Sequence, residues 1–192
     1  MTNSGKTYLH SFDDVELMAG HGSLGLEILE DCNPDIVLIC CGGGGLLAGA
    51  AAGIQLKLNG ARPCSVYGVE PEGAATMYES FRRGNAFALP EAKSVASGLS
   101  PPYAGALCYA QCLRFVKDIL LVSDADLKEA TAILYRAGIV AEPAGAAAFA
   151  ALVKGKVPED LKGKEICVVV TGGNVSTRQM VQVTDDVGGC FI

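Results

Sequence analysis

Residues 36–48 read IVLICCGGGGLLA, and this stretch decides the fold. It opens with six uninterrupted apolar residues, which are typical of a β-strand covered on both faces. Four glycines follow, and the small or apolar residues after them predict a helix from Leu46 to about Leu58. A strand, a glycine turn and a helix in this order begin the βαβ unit of a parallel sheet.

The same alternation of strand and helix continues along the rest of the chain. Apolar runs predict three further strands at 65–70, 119–122 and 165–171. Helical patterns predict helices at 13–31, 74–83, 106–116, 123–136 and 142–154, and a last helix after the turn at 172–174. The proline-containing segment 85–105 is expected to be a long loop. We therefore expect the α/β class: a parallel sheet with helices on both faces, in one domain over residues 1–192.

Short polar residues and a glycine predict where several helices begin and end. Asp13 or Asp14 can cap the first helix. Ser123, with Asp126 three residues later, forms a pattern like a capping box. Gly84 is expected to end the helix that starts near residue 74.

The composition excludes several classes of protein. Half of the 192 residues are hydrophobic and 19% are charged, which is the reverse of a disordered chain. The net charge of −6 disfavours electrostatic binding of nucleic acid. Polar residues interrupt the apolar runs well before the ~20 residues that a membrane span needs. Residues 1–14 lack the apolar core of a signal peptide, so we expect a soluble cytoplasmic protein that binds neither nucleic acid nor membrane.

Eight cysteines need an interpretation, because thiols can ligate metals or form disulfides. No C-x-x-C pair occurs, and His10 and His21 are the only two histidines, so a zinc site has little support. Cys108 and Cys112 would share one face of a helix. We interpret the cysteines as small apolar side chains of the core.

Two glycine clusters fall where ligands bind in parallel sheets. Gly42–Gly45 follows the first strand, and Gly172-Gly173 follows the fourth. Ligands bind at the carboxyl ends of the strands, and bare N–H groups before a helix bind anions, so the first cluster predicts a phosphate or carboxylate site. Gly43-x-Gly45-x-x-Ala48 also fits the permissive dinucleotide fingerprint, with Glu70 where a ribose-binding acid belongs. An NAD-type ligand is therefore an open alternative at this point.

Five motifs occur in an order that indicates a family. They are HSFDD at 10–14, CGGGGLLAG at 41–49, GVEPEGA at 68–74, EPAGAA at 142–147 and VTGGN at 170–174. Over nearly the whole chain they resemble the serine/threonine dehydratase and serine racemase family, whose members are fold-type II enzymes dependent on pyridoxal phosphate (PLP). The resemblance implies an incomplete large domain of that fold. It also implies β-elimination of L-serine or L-threonine to a 2-oxo acid and ammonia, with racemisation of serine as the alternative.

The resemblance also implies roles for particular residues. The PLP phosphate would be held by the backbone N–H groups of Gly42, Gly43, Gly44 and Gly45. Around the rest of the cofactor, Thr171 would lie beside the pyridine nitrogen, Glu142 near the ring, and Gly98 in the loop on the substrate side.

Some members of this family bind a divalent cation, Mg²⁺ or Ca²⁺. The matching positions here are Glu70, the carbonyl of Ala74, and Thr76. The metal-binding form has an aspartate where this chain has Thr76. One carboxylate and one carbonyl make a poor site for a hard cation, so the resemblance gives this cation only weak support.

The family's Schiff-base lysine stands in a Ser-x-Lys-x-Arg-Gly context that does not occur in this sequence, and the family's Ser-Gly-Asn-His loop is also absent. That lysine binds the cofactor covalently and removes the α-proton of the substrate. We therefore expect the chain to correspond to the C-terminal half of the enzyme, inactive alone and with exposed apolar surface. It would form a homodimer or associate with a longer homologue. A non-catalytic module that pairs with full-length subunits is a further alternative.

Overall fold

The computed structural model of the protein describes residue 5 and residues 7–185. The strands are β1 (Ile36–Cys40), β2 (Ser65–Pro71), β3 (Asp118–Val122) and β4 (Ile166–Val168). The helices are α1 (Val15–Asp31), α2 (Gly45–Leu58), α3 (Thr76–Arg83), α4 (Ala106–Phe115), α5 (Asp124–Arg136), α6 (Ala147–Val153) and α7 (Thr177–Asp185). The strands pair in parallel in the order β3-β2-β1-β4, which confirms the predicted fold class.

The central strand β1 shows why both faces of the sheet are covered. Its side chains alternate between the two faces. Ile36, Leu38 and Cys40 belong to a core shared with α5 and α6. Val37 and Ile39 belong to a second core, shared with α1, α2, α3 and α4. Because all five residues of β1 are buried, the strand is an uninterrupted apolar run and not an alternating one.

Glycines allow α1 and α2 to pack backbone to backbone. A Cβ added to Gly25 would overlap the carbonyl oxygen of Ala50, and one added to Gly53 would overlap that of Gly22. A Cβ on Gly49 would lie only 2.7 Å from the Cβ of His21. Side chains at these three positions would force the helices apart, so the glycines fix the spacing between α1 and α2.

The strand order places a crevice at the carboxyl ends of β1 and β4. After β1 the chain moves to β2 and then β3 on one side, and it returns to form β4 on the other side. The connections that leave β1 and β4 therefore diverge, which is the topological switch point where α/β sheets bind ligands. The segments that leave at this point are the tetraglycine turn after β1 and residues 169–176 after β4.

Two elements are shorter in the structure than predicted, and the same pair of backbone hydrogen bonds explains both. The helix expected over 142–154 begins at Ala147, and the strand expected over 165–171 is assigned only to 166–168. The N–H of Glu142 donates to the carbonyl of Gly172 (2.9 Å), and the N–H of Thr171 donates to that of Gly145 (3.2 Å). These backbone groups pair with each other, so they extend neither the helix nor the strand ladder.

The two aspartates before α1 cap different helices. Asp14 accepts hydrogen bonds from the N–H groups of Glu16 and Leu17 at the start of α1. Asp13 instead accepts from the first three N–H groups of α4, at 2.9–3.1 Å. Asp13 therefore fastens the segment before α1 to the start of α4, a long-range contact that a local pattern cannot indicate.

The remaining helix ends follow the sequence closely. The Ser123–Asp126 capping box is present at the start of α5. Gly84 ends α3 in the left-handed region, with φ +76°. The helix expected from residue 74 begins at Thr76, because one 3-10 turn (Glu72–Ala74) precedes it.

The cysteine interpretation is confirmed for five of the seven cysteines that the structure describes. Cys40, Cys41, Cys64, Cys108 and Cys112 are buried, and all seven are free thiols. Cys32, at the end of α1, and Cys167, on the edge strand β4, are only half-buried and pack against the border of the second core. Cys190 lies outside the described residues.

An apolar groove runs along α1, α2 and the start of α4. It encloses about 790 Å³ and is lined by Val15, Leu26, Leu56 and Leu107, whose side chains are exposed. The expected exposed apolar surface is therefore present. Within the described residues, no helix has both the length and the apolar character needed to cross a membrane.

Candidate functional site

A cleft of about 520 Å³ lies at the carboxyl ends of β1 and β4, at the switch point of the sheet. Its lining comes from six parts of the chain: the segment before α1, α1 itself, the end of β1 with the turn into α2, the loop before α4, the segment around residue 142 and the segment around residue 171. The lining residues are Ser11, Phe12, His21, Cys40, Gly42, Gly43, Gly44, Gly45, Leu46, Leu47, Ser97, Gly98, Leu99, Ser100, Pro101, Glu142, Ala144 and Thr171. All seven residues predicted to bind the cofactor are in this set.

The tetraglycine turn presents the start of α2 to the cleft. Gly44 is the N-cap of α2, and the first helical hydrogen bond joins the N–H of Ala48 to the carbonyl of Gly44. The N–H groups of Gly45, Leu46 and Leu47 therefore have no acceptor within the helix. Together with the helix dipole they form a positive end that suits a phosphate or carboxylate.

Glycine is required in this turn by both conformation and packing. Gly44 has φ +103°, a region that side chains other than glycine rarely adopt. A Cβ on Gly43 would overlap the ring of Phe12, and one on Gly45 would lie 2.7 Å from the carbonyl oxygen of Phe12. Phe12 therefore forms a wall directly against the tetraglycine turn.

Hydrogen bonds hold Phe12 in this position. The Nδ1 atom of His10 accepts from the N–H of Asp13 (2.9 Å), and its Nε2 atom is 3.0 Å from the hydroxyl of Tyr103. The capping of α4 by Asp13 anchors the other side of Phe12. The Gly105 N–H donates to the carbonyl of Gly43 at 3.0 Å, which joins the loop before α4 to the turn itself.

Thr171 and Cys40 form another part of the cleft wall. Their hydroxyl and thiol are 3.4 Å apart, and Thr171 is half-buried. Burial raises the pKa of the Cys40 thiol, and the nearby Glu142 carboxylate adds to the effect. Cys40 is therefore a neutral thiol at pH 7, and Thr171 is the neutral hydroxyl that can donate or accept in the cleft.

Glu142 and Gly98 close the cleft from the remaining sides. The carboxylate of Glu142 lies over Gly172, where a Cβ would overlap it. Gly98 stands in the 3-10 turn Ser97–Leu99, and its own Cβ would be 3.3 Å from that of Ala144. The carbonyl oxygen of Gly98 lies 3.2 Å from the Cβ position of Gly42, so this turn packs directly on the tetraglycine turn.

Glu70 and Ala74 lie elsewhere. Glu70 is fully buried, and its two oxygens accept from the N–H groups of Met77 and Tyr78 at 2.8 Å each, at the start of α3. Thr76 also donates to it at 3.3 Å. Burial raises the pKa of Glu70 to about 8 although these hydrogen bonds favour its charged form. Ala74 is fully buried, and neither residue lines the cleft.

The described residues contain no group of three or more His, Cys, Asp or Glu side chains that could hold a metal ion. At the positions matched to the family's cation site, the carboxylate of Glu70 caps a helix. A divalent cation at Glu70 and Ala74 therefore stays a prediction, and no such cluster of ligands supports it among the described residues.

Sequence reasoning missed two residues that shape the cleft, Phe12 and His21. Phe12 lies within the HSFDD motif, but its contact with Gly43 follows from Asp13 reaching across to α4. His21 could have been found from the glycines of α1 and α2, whose helical spacing indicates a close approach of the two helices. No lysine is among the residues that line the cleft.

The fold and the site together define a parallel α/β protein with a cleft at its switch point. The sequence pattern of the family described as "Pyridoxal-phosphate dependent enzyme" matches residues 1–172. This chain belongs to that family, as the resemblance of its motifs predicted.

Comparison with individual proteins agrees with the family. The chain is 31% identical over 182 residues to an L-threonine ammonia-lyase of Thermotoga maritima, and the match covers 94% of this chain and 44% of that protein. It is 36% identical over 177 residues to a serine racemase of Schizosaccharomyces pombe, covering 91% of this chain and 53% of that protein. The structure matches a processed form of threonine deaminase isoform 2 from Solanum lycopersicum with TM-score 0.88 and 28% identity, covering 96% and 50% of the two chains. The chain thus spans about half the length of these relatives.

Proposed function

We propose that this chain is the cofactor-binding portion of a PLP-dependent serine/threonine ammonia-lyase. One observation carries the proposal: the same cleft is lined by the glycine turn Gly42–Gly45, which suits an anion, and by the neutral hydroxyl of Thr171. A phosphorylated pyridine ring needs both features at once. A cleft of about 520 Å³ lies within the usual range of cofactor sites.

The residues of the cleft fit the chemical groups of PLP. The unpaired N–H groups of Gly45, Leu46 and Leu47 would bind the phosphate, assisted by the dipole of α2. Thr171 would face the ring nitrogen. When bound, PLP supplies an electron sink for the carbon from which the α-proton is removed.

The hydroxyl group of Thr171 influences which type of reaction the cleft would favour. A hydroxyl can donate a hydrogen bond to an unprotonated ring nitrogen, whereas a carboxylate at this place would hold a proton on it. An unprotonated ring withdraws electrons less strongly, which suits loss of a β-hydroxyl better than reactions that need a long-lived carbanion. The hydroxyl of Thr171 also contacts the neutral thiol of Cys40.

The proposed substrates are L-serine and L-threonine, which would give pyruvate and 2-oxobutanoate with release of ammonia. Relatives named for threonine ammonia-lyase and threonine dehydratase activity support elimination. A relative named serine racemase makes racemisation the alternative outcome at the same cleft. Both reactions begin with removal of the α-proton, so they share the same requirements for binding the cofactor.

No lysine lines the cleft among the described residues, so the proton acceptor that the proposed reaction needs is not part of this lining. We therefore propose that the lysine comes from outside the described residues: from a further segment of the same protein, from another copy of the chain or from a longer homologue. The exposed apolar groove along α1 and α2 is compatible with such an association. A non-catalytic module that pairs with full-length subunits would use the same surfaces.

The NAD-type alternative is disfavoured, because Glu70 is not available to bind a ribose. Both oxygens of Glu70 are bonded to N–H groups of α3, and the side chain is fully buried away from the cleft. Gly43, Gly45 and Ala48 still fit the fingerprint, but packing against Phe12 already accounts for the first two glycines.

Two measurements on the purified chain test the proposal. Equilibrium dialysis against PLP is expected to show saturable binding, and a Thr171→Val variant should bind more weakly than a Thr177→Val control, since Thr177 is exposed on α7. Release of 2-oxo acid from L-serine and L-threonine, together with chiral analysis of serine, is expected to show no turnover by the chain alone. Absence of PLP binding would refute the proposed cofactor site. Robust turnover would show that one of the chain's own lysines serves as the base.

A further inference from the structure

His21 is a side chain of the cleft to which the proposed function assigns no role. It lies in α1 and lines the cleft together with the tetraglycine turn Gly42–Gly45. The residue is half-buried. Within the described part of the chain, no hydrogen bond or ion pair is found for its ring, so its ring nitrogens are free to bind a ligand.

The close packing of α1 on α2 determines where His21 lies. The Cβ position of Gly49 is 2.7 Å from the Cβ of His21, so this residue sits directly against the beginning of α2. Gly49 follows one turn after Gly45, whose N–H is the first of the unpaired donors. The glycine contacts between the helices thus bring an imidazole to the rim of an anion-binding site.

His21 is also the only basic side chain among the described residues that line the cleft. The acidic group of the cleft wall is Glu142, and the Cys40 thiol is kept neutral by burial. Before α1, Asp13 and Asp14 are occupied with N–H groups of α4 and α1.

The helices packed around His21 place no other cation near it. The single charged residue of α2, Lys57, is at the far end of that helix. Arg114 is the only charged residue of α4, and it lies in the last turn, away from the end that Asp13 caps. Among the described residues that line the cleft, an anion at the start of α2 would therefore meet one imidazole, that of His21, beside the hydroxyls of Ser11, Ser97, Ser100 and Thr171.

We propose that His21 donates a hydrogen bond from its imidazole ring to the phosphate bound at the start of α2. The proposal rests on the proposed function for the identity of the ligand. The backbone donors of α2 are fixed by the helix, whereas His21 adds a side-chain donor from a different element. A hydrogen bond to a charged phosphate is stronger than one between neutral groups, so this single contact makes a measurable share of the affinity. His21 is thus a positioning residue that holds the phosphate end of the cofactor.

The test compares ligand affinity in variants of the full chain, without any assay of turnover. Dissociation constants for PLP and, separately, for inorganic phosphate are measured by equilibrium dialysis and by ³¹P NMR. We expect His21→Ala to weaken both by about tenfold, the size of one hydrogen bond to a charged group. His21→Gln, which keeps an N–H donor, should stay within about threefold of the parent chain. Lys57→Ala, which removes a cation at the far end of α2, should change neither constant.

The results separate this inference from the proposed function. If the parent chain binds both ligands and His21→Ala binds them equally well, the inference fails and the cofactor site stands. If His21→Ala weakens PLP but not inorganic phosphate, His21 contacts another part of the cofactor and the inference also fails. If the parent chain binds neither ligand, the proposed cofactor site fails together with the inference. Circular dichroism and urea unfolding of each variant, with His21→Gln as the conservative substitution, show whether lost affinity comes from lost folding.

Discussion

Replacing Gly44 by alanine tests whether the turn before α2 needs glycine for conformation, for packing, or for both. Gly44 has φ +103°, where an L-residue is strained by about 1–2 kcal/mol. Its Cβ would also lie 2.5 Å from Cε of Met77 and 2.8 Å from Cβ of Cys108, both in the core. Extra atoms in a filled core cost about 1–3 kcal/mol. The two costs together predict a loss of roughly 2–5 kcal/mol in the free energy of unfolding.

Gly84→Ala is the matched control for this prediction. Gly84 also has a positive φ, +76°, but a Cβ there would meet no atom within 4 Å. Only the conformational cost of about 1–2 kcal/mol applies to it. The difference between the two variants therefore isolates the overlap with Met77 and Cys108, which is expected to be about 1–3 kcal/mol.

Urea unfolding followed by far-UV circular dichroism gives both free energies under one set of conditions. The midpoint should fall much further for Gly44→Ala than for Gly84→Ala, with the same dependence on urea concentration. Equal losses in the two variants would refute the packing argument. A loss below about 1 kcal/mol for Gly44→Ala would refute the conformational argument as well.

Three further substitutions have defined outcomes. Burial raises the pKa of Glu70 to about 8, so the folded state binds this proton more tightly than the unfolded state, whose pKa is near 4.5. The stability of the protein should therefore fall as the pH rises from about 4.5 to about 8, and Glu70→Gln should lose most of that slope in urea titrations across this range. Asp13→Ala removes the cap of α4 and should cost about 1–2 kcal/mol in thermal unfolding, while Asp13→Asn should cost less; equal losses would contradict capping as the cause. Thr171→Val keeps the shape of the side chain and should weaken PLP binding about tenfold without changing the unfolding midpoint; unchanged affinity, with Thr177→Val as the control, would remove Thr171 from the site.

The sequence predicted those features of the fold that depend on neighbouring residues. The run at 36–41, the four glycines and the Ser123–Asp126 pair act over a few positions, and the structure has the strand, turn and capping box there. The shortened α6 and β4 depend on hydrogen bonds between the segments around Glu142 and Thr171, which are far apart in the sequence. Local residue propensities contain no information about such a pairing, so the prediction from the sequence made both elements too long.

The same distinction applies to the cleft. Motifs identified Gly42–Gly45 and Thr171, because these residues follow strands and their types are chemically restrictive. The position of Phe12 depends on Asp13 capping a helix more than ninety residues later in the chain. His21 reaches the cleft because α1 and α2 touch through glycines. The presence of such residues in the cleft can be predicted only when the long-range packing is known.

The arrangement of the cleft separates binding of the cofactor from the chemistry that follows. The proposed phosphate donors belong to the backbone of α2, and the turn that orients them is fixed by Phe12, Met77 and Cys108 from three other elements. These contacts lie within the described part of the chain and need no lysine. Affinity for the phosphate should therefore be present before any proton acceptor is supplied, since the donors are already oriented and little ordering is required on binding. A polypeptide segment that brings a lysine to the cleft would add a contact to a cofactor already held at its phosphate end and would so strengthen the binding of PLP. By reciprocity, bound PLP should strengthen the binding of that segment by the same factor.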